Sequence, residues 1–247
     1  MSQTRIRADV RICADAEEMA GRVAEVITKQ AACCAGQMGR FTLALSGGRT
    51  PETLYEVLAR DYAMKLPWQK THFFWGDDRF VPHEDPRSNY RLAKQVLFDH
   101  VPCPAGNVHP MPIFFKDPKE AAADYEATLK GYFPGPWPRF DIALLGMGDN
   151  GHVASLFPHS PALQEHSRWV VAVREEEAEP PLRLTLTLPA LNQAAQVHFL
   201  VTGEEKAEKV AEALSPQGDV QECPAAGIRP ERGELVWWLD EAAASRL

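Results

Sequence analysis

Short apolar runs alternate with amphipathic stretches along this chain, and the alternation predicts strands and helices in turn. Residues 10–13 are a brief strand candidate. Asp15 then caps a long helix in which Met19, Val23, Val26 and Ile27 recur at helical spacing, ending at Gly36 or Gly39. Residues 41–45 form an apolar strand that runs directly into Ser46-Gly47-Gly48-Arg49-Thr50. Thr50 is a favoured N-cap and Pro51 a favoured first-turn residue, so a helix is expected from there to about Arg60. Residues 72–75 are the next strand, ending in Gly76-Asp77-Asp78-Arg79, and a polar loop leads to a helix over 90–98. Asp117-Pro118 opens a helix that stops near Gly131.

The second half repeats the scheme. Residues 142–145 are wholly apolar, as in the middle of a parallel sheet, and break into Gly146, Gly148 and Gly151 with Asp149, Asn150 and His152 between them. Strands follow over 169–173, 183–188 (alternating, hence half-buried), 196–201 and 235–239, with an acidic, exposed excursion at 175–179. Thr202 is placed to cap a helix that carries Lys206 in its first turn. Six or more strands alternating with helices indicate an α/β fold, a three-layer sandwich around a mainly parallel, Rossmann-like sheet, in a single domain over 1–247.

Four strand ends, near Ser46, Asp77, Gly146 and Thr202, carry glycine or polar residues where core residues would otherwise sit. In open α/β sheets ligands bind beyond the carboxyl ends of the strands, so these four segments define a candidate site. The Ser46–Thr50 segment offers free amides, a hydroxyl, an arginine and a helix start, which suits a phosphate. It lacks the lysine and spacing of a Walker A loop and is not GxGxxG. Asp77 and Asp78 beside Arg79 can tune one another. Lys206 near a helix start opposes the dipole unless an anion is bound.

Composition narrows the choice of ligand. The formal net charge is −8, which argues against nucleic-acid or membrane-surface partners and requires a local cationic cluster for any anionic ligand. Five cysteines without C-x-x-C spacing indicate neither a disulfide framework nor a zinc site, and the Cys33–Cys34 pair is expected to pack as small hydrophobes. No signal-peptide pattern or membrane-length apolar run is present in the sequence, so a soluble cytoplasmic protein, monomeric or weakly homo-oligomeric, is expected. His83, His100, His109, His159, His166 and His198 are expected to be mostly exposed, His72 partly buried, and the direction of Arg183 is not readable.

Taken jointly and in order, LALSGGRTPETLYEVLA, FFWGDDRFVPHEDPRSNY, FDIALLGMGDNGHVASLFPHS and LTLTLPALNQAAQVHFLVTGEEKAEKV resemble the 6-phosphogluconolactonase family, from about Phe41 to Val210. Glucosamine-6-phosphate deaminases and sugar-phosphate isomerases are relatives, sharing the SGG loop, while the GDDRFVP and ASLFP segments look like the lactonase branch. The resemblance implies a NagB/RpiA-like sheet and hydrolysis of 6-phospho-D-glucono-1,5-lactone in the oxidative pentose phosphate pathway, without metal or organic cofactor. It implies His152 as general base, with Asp77 and Arg79 as further catalytic candidates. Ser46, Gly47, Gly48, Arg49, Thr50, Gly148, Asn150, Gly151 and Lys206 would bind substrate, and the amides of the 146–151 turn, with Arg79 second, would hold the oxyanion. The family's usual Asp-Gly-His is here Asn150-Gly151-His152. Asn150 cannot exchange a proton, which weakens a deaminase or isomerase reading, and leaves open whether it or a carboxylate elsewhere orients His152.

Overall fold

In the computed structural model, which describes residues 8–230 and 232–247, the predicted alternation is realised with a second sheet added. The first half runs β1 (Asp9–Cys13), α1 (Ala16–Gln37), β2 (Phe41–Leu45), α2 (Arg49–Asp61), β3 (Thr71–Trp75), β4 (Asp77–Arg79), α3 (Asn89–Val96) and α4 (Pro118–Tyr132). The second half runs β5 (Ile142–Leu145), β6 (Val170–Arg174), β7 (Leu182–Leu186), α5 (Leu188–Leu191), β8 (Gln196–Val201), α6 (Ala207–Leu214) and β9 (Glu234–Asp240). Six strands pair in the order β1-β9-β8-β5-β2-β3, every pair parallel. Every residue of β2 and β5 is buried, which requires helices on both faces of the sheet. Fully burying side chains such as Phe41, Leu43 and Leu145 stabilises the fold by about 1.5–3 kcal/mol each.

The helix caps follow local chemistry in some places and depart from it in others. Asp15 caps α1 by accepting from the Glu18 amide at 2.8 Å, and Asp117 caps α4 with Pro118 in its first turn. Thr50 does not cap α2. Gly48 does, at φ 102°, a left-handed conformation that only glycine adopts freely, and no side chain bonds the first amides of the helix. Thr202 is likewise not a cap, since Gly203 holds that position before a 3₁₀ turn, Glu204–Lys206, that leads into α6. The two threonine hydroxyls bond each other instead, Oγ1 to Oγ1 at 2.9 Å, tying the loop after β2 to the loop after β8.

The Gly76–Arg79 segment, read as a strand end, continues as β4 in a three-stranded antiparallel sheet ordered β4-β7-β6. Gly76 joins the two sheets: its amide donates to Leu45 O at 2.9 Å and its carbonyl accepts from the Leu186 amide at 2.8 Å. Asp-Asp-Arg has poor strand propensity, and side-chain bonds from Asp78 hold it in place. Two further expectations are corrected. Cys34 is buried but Cys33 is exposed. His198 is buried within β8, where its Nδ1 accepts from Trp238 Nε1 at 3.0 Å and burial pushes its pKa down to about 4.

One buried contact fixes the loop after β2. The fully buried Tyr55 hydroxyl, in the second turn of α2, donates to Ser46 O at 2.6 Å and accepts from Ser46 N at 3.1 Å. In Tyr55→Phe both Ser46 backbone groups lose their partner, at a cost of about 1–3 kcal/mol. Thermal unfolding should therefore shift downward by roughly 2–4 °C per kcal/mol for a chain of this size. An unchanged Tm would remove Tyr55 as the anchor of this loop.

Candidate functional site

The carboxyl ends of β2, β5 and β8 and the face of β4 and β7 meet at one open cleft of about 230 Å³. Ser46, Gly47, Gly48, Arg49 and Thr50 line it from the start of α2, Asp77 and Arg79 from β4, and Gly148 and His152 from the turn after β5. Lys206 lines it from the turn before α6. The cleft thus brings together residues far apart in sequence. Asn150 and Gly151 are not part of its wall: Asn150 bonds His152, and Gly151 is buried behind the turn.

Charge in the cleft runs against that of the chain. Its wall carries four cations, Arg49, Arg79, Arg183 and Lys206, against two carboxylates, Asp77 and Glu205, in a chain of net charge −8. Among the described residues none of the four cations makes a salt bridge. Arg79 and Arg183 are direct cross-strand partners in the β4–β7 ladder, where like charges destabilise unless an anion lies between them. Arg79 Nη1 donates to Arg87 O at 2.5 Å, while its buried Nε has no partner among the described residues. Arg183 donates from Nε to Pro180 O at 3.1 Å and stacks its guanidinium over Phe157 at 5.5 Å. Loss of water and the charge of Arg79 act to lower the Arg183 pKa, while Asp77 opposes them. The sequence could not place Arg183, because an alternating strand does not say which of its faces meets the site.

The two aspartates have separate surroundings. Asp78 is almost wholly buried and accepts from the amides of Arg79, Asn89 and Tyr90 at 2.8, 2.6 and 3.0 Å, and from Ser88 Oγ at 3.2 Å. It pins β4 to the start of α3, and burial raises its pKa to about 6. Asp77 faces the cleft. Its Oδ2 accepts from Ser155 Oγ at 2.6 Å, and Asn89 Nδ2 donates to its backbone carbonyl at 3.0 Å. Ser155 and Asn89 lie within the ASLFP and RSNY segments, and nothing in either sequence shows that it folds back onto Asp77.

His152 is held by its own turn. Asn150 Oδ1 accepts from the His152 amide at 3.1 Å and lies 2.7 Å from Nδ1. Gly148 leaves room for the ring, because a Cβ there would stand 2.1 Å from both Cε1 and Nδ1. Phe157 packs against the imidazole with ring centroids 4.6 Å apart. Burial, aided by the charges of Arg183 and Lys206 and opposed by Asp77 and Asp149, pushes its pKa down to about 4. The side chain is therefore a neutral base at ordinary pH. Three of the turn's amides, among those the resemblance offers as oxyanion donors, are engaged within the turn itself. Gly148 N donates to His152 O at 2.9 Å, Gly151 N to Gly148 O at 3.1 Å and Asn150 N to Asp149 Oδ1 at 3.0 Å.

Among the described residues no cluster of three or more His, Cys, Asp or Glu side chains is placed to hold a metal ion. No helix among them is long and apolar enough to cross a membrane.

Comparison with known proteins gives this geometry a lineage. The family model for glucosamine-6-phosphate isomerases/6-phosphogluconolactonase matches residues 14–237. A 6-phosphogluconolactonase of Synechocystis sp. is 46% identical over 214 residues, covering 85% of this chain and 86% of that protein. One from Nostoc sp. is 42% identical over 241 residues, covering 96% and 98%. The solved 6-phosphogluconolactonase from Trypanosoma brucei matches with a TM-score of 0.88 at 27% identity, covering 98% of this chain and 99% of that one. A monomeric glucosamine-6-phosphate deaminase shares the fold, with a TM-score of 0.80 at 22% identity. On a family model and relatives that span nearly its whole length, the chain belongs to the glucosamine-6-phosphate isomerase/6-phosphogluconolactonase family.

Proposed function

We propose that this chain is a 6-phosphogluconolactonase that hydrolyses 6-phospho-D-glucono-1,5-lactone to 6-phosphogluconate with His152 as general base. One observation carries the reading: an imidazole with a free Nε2 shares a cleft with four cations that have no carboxylate partner among the described residues. A neutral base and unneutralised positive charge are what hydrolysis of an anionic ester needs. The relatives' names support the lactonase over the deaminase branch.

The substrate phosphate lies on the Ser46–Thr50 loop, against the start of α2, whose first amides have no side-chain partner, with Arg49 and Lys206 beside it. The lactone carbonyl then faces His152. Nε2 takes a proton from water as the water oxygen bonds the carbonyl carbon, and the carbonyl oxygen becomes an oxyanion. Arg79 and Arg183 stabilise that charge by guanidinium donation. As the tetrahedral intermediate collapses, the bond from carbon to ring oxygen breaks. The His152 imidazolium returns its proton to the departing oxygen, leaving an open-chain acid and a neutral base. Asp77, steadied by Ser155, orients substrate hydroxyls. Every step uses groups of this chain and water.

His152→Ala, assayed with freshly generated lactone, should lower kcat by ~10²–10⁴-fold, and near wild-type turnover would remove His152 from the base role. Gly148→Ala should have a similar though smaller effect on kcat with the fold intact by circular dichroism, because a Cβ would displace the ring. Arg49→Ala and Lys206→Ala should raise KM more than they lower kcat; unchanged KM in both would contradict the phosphate placement. Ammonia release from glucosamine-6-phosphate would favour the deaminase reading instead.

A further inference from the structure

We propose that Asn150 is a positioning residue that selects the reactive tautomer of His152 and, by offering an uncharged acceptor, denies the imidazolium a counter-ion at Nδ1. This deepens the reading of His152 as the base and rests on it.

The tautomer follows from one oxygen doing two jobs. Asn150 Oδ1 accepts the His152 backbone N–H at 3.1 Å, which fixes the amide orientation, since Nδ2 could not accept that proton. The same Oδ1 lies 2.7 Å from the ring Nδ1, so Nδ1 must carry the hydrogen and Nε2 the lone pair. The ring has little freedom to escape this arrangement. Gly148 N ties back to His152 O at 2.9 Å, and the Gly148 Cα side lies flush against the imidazole.

The protonation state follows from what else faces the ring. Asp77 approaches from β4, Arg183 from β7, Lys206 from the turn before α6 and Asp149 from the histidine's own turn, while Phe157 covers the ring with an apolar face. Two cations and two carboxylates offset one another in number, so burial decides, and the pKa is held at about 4. A carboxylate in place of the Asn150 amide would stand in direct contact with Nδ1–H and stabilise the imidazolium. An opposite charge so close raises a pKa by roughly 1–3 units. With asparagine there, the base stays free through the mildly acidic range in which an ordinary histidine is already protonated. The same neutrality makes the imidazolium formed during turnover quick to give its proton to the leaving oxygen.

The test is ¹⁵N–¹H NMR titration of the His152 ring in the full chain, in wild type, Asn150→Asp and Asn150→Ala. Wild type should show a proton on Nδ1 and stay neutral to below pH 5. Asn150→Asp, nearly the same in shape and at an exposed position, should keep that tautomer and move the midpoint up by roughly 1–3 units. Asn150→Ala should lose the preference for Nδ1–H and lower kcat with little change in KM. The acid limb of kcat/KM should move with the titration, leaving Asn150→Asp at about a tenth of wild-type kcat/KM at pH 5 for a two-unit shift. A wild-type midpoint near 6.5, a proton on Nε2, or an unmoved midpoint in Asn150→Asp would overturn the proposal. If His152→Ala keeps its turnover while the NMR shifts appear as expected, the base reading fails and the Asn150 assignment stands.

Discussion

Everything in this site depends on positive charge that the protein does not neutralise. Arg79 and Arg183 sit opposite each other in a ladder, and Arg49 and Lys206 face the same cleft, yet none makes a salt bridge among the described residues. Elsewhere arginines and lysines do find carboxylates: Arg60 pairs with Glu17 and Asp61, and Lys130 with Glu126. Holding like charges together in a partly dry pocket is unfavourable without a counter-ion. The arrangement favours an anion in the cleft.

The fold bears this through rigid supports outside the cleft. Asp78 accepts three amides and so holds a three-residue charged strand where its sequence would not. Gly76 joins that strand to the main sheet, which places Asp77 and Arg79 beside the ends of β2 and β5. Tyr55 clamps Ser46, and the Thr50–Thr202 bond draws two loops together. The same charge also acts on His152. Arg183 and Lys206 join burial in keeping His152 unprotonated, so the cleft's own cations favour the neutral imidazole.

Much of this could be read in the sequence. The strands at Phe41–Leu45 and Gln196–Val201 agree to the residue, because short apolar runs bounded by glycine have few other ways to fold. The glycine-rich strand ends placed the cleft, since ligands gather at the carboxyl edge of such sheets. What escaped depends on contacts between distant segments. β4 is made of Asp-Asp-Arg and forms only because Leu182–Leu186 pairs with it. Arg183 entered the cleft because of which face that pairing turned inward. Thr50 and Thr202 looked like caps, and glycines at positive φ took both positions, leaving the hydroxyls to bond each other. The sequence leaves the partner of His152 open between Asn150 and a distant carboxylate, and the fold of the turn itself brings the residue two positions back onto Nδ1.

The most direct test is a crystal structure with 6-phosphogluconate bound. The phosphate should lie on the Ser46–Thr50 loop beside Arg49 and Lys206, with C1 turned toward His152 Nε2 at a distance one water can bridge and the C1 carboxylate accepting from Arg79 or Arg183. A phosphate bound elsewhere, or an imidazole turned away from C1, would contradict it.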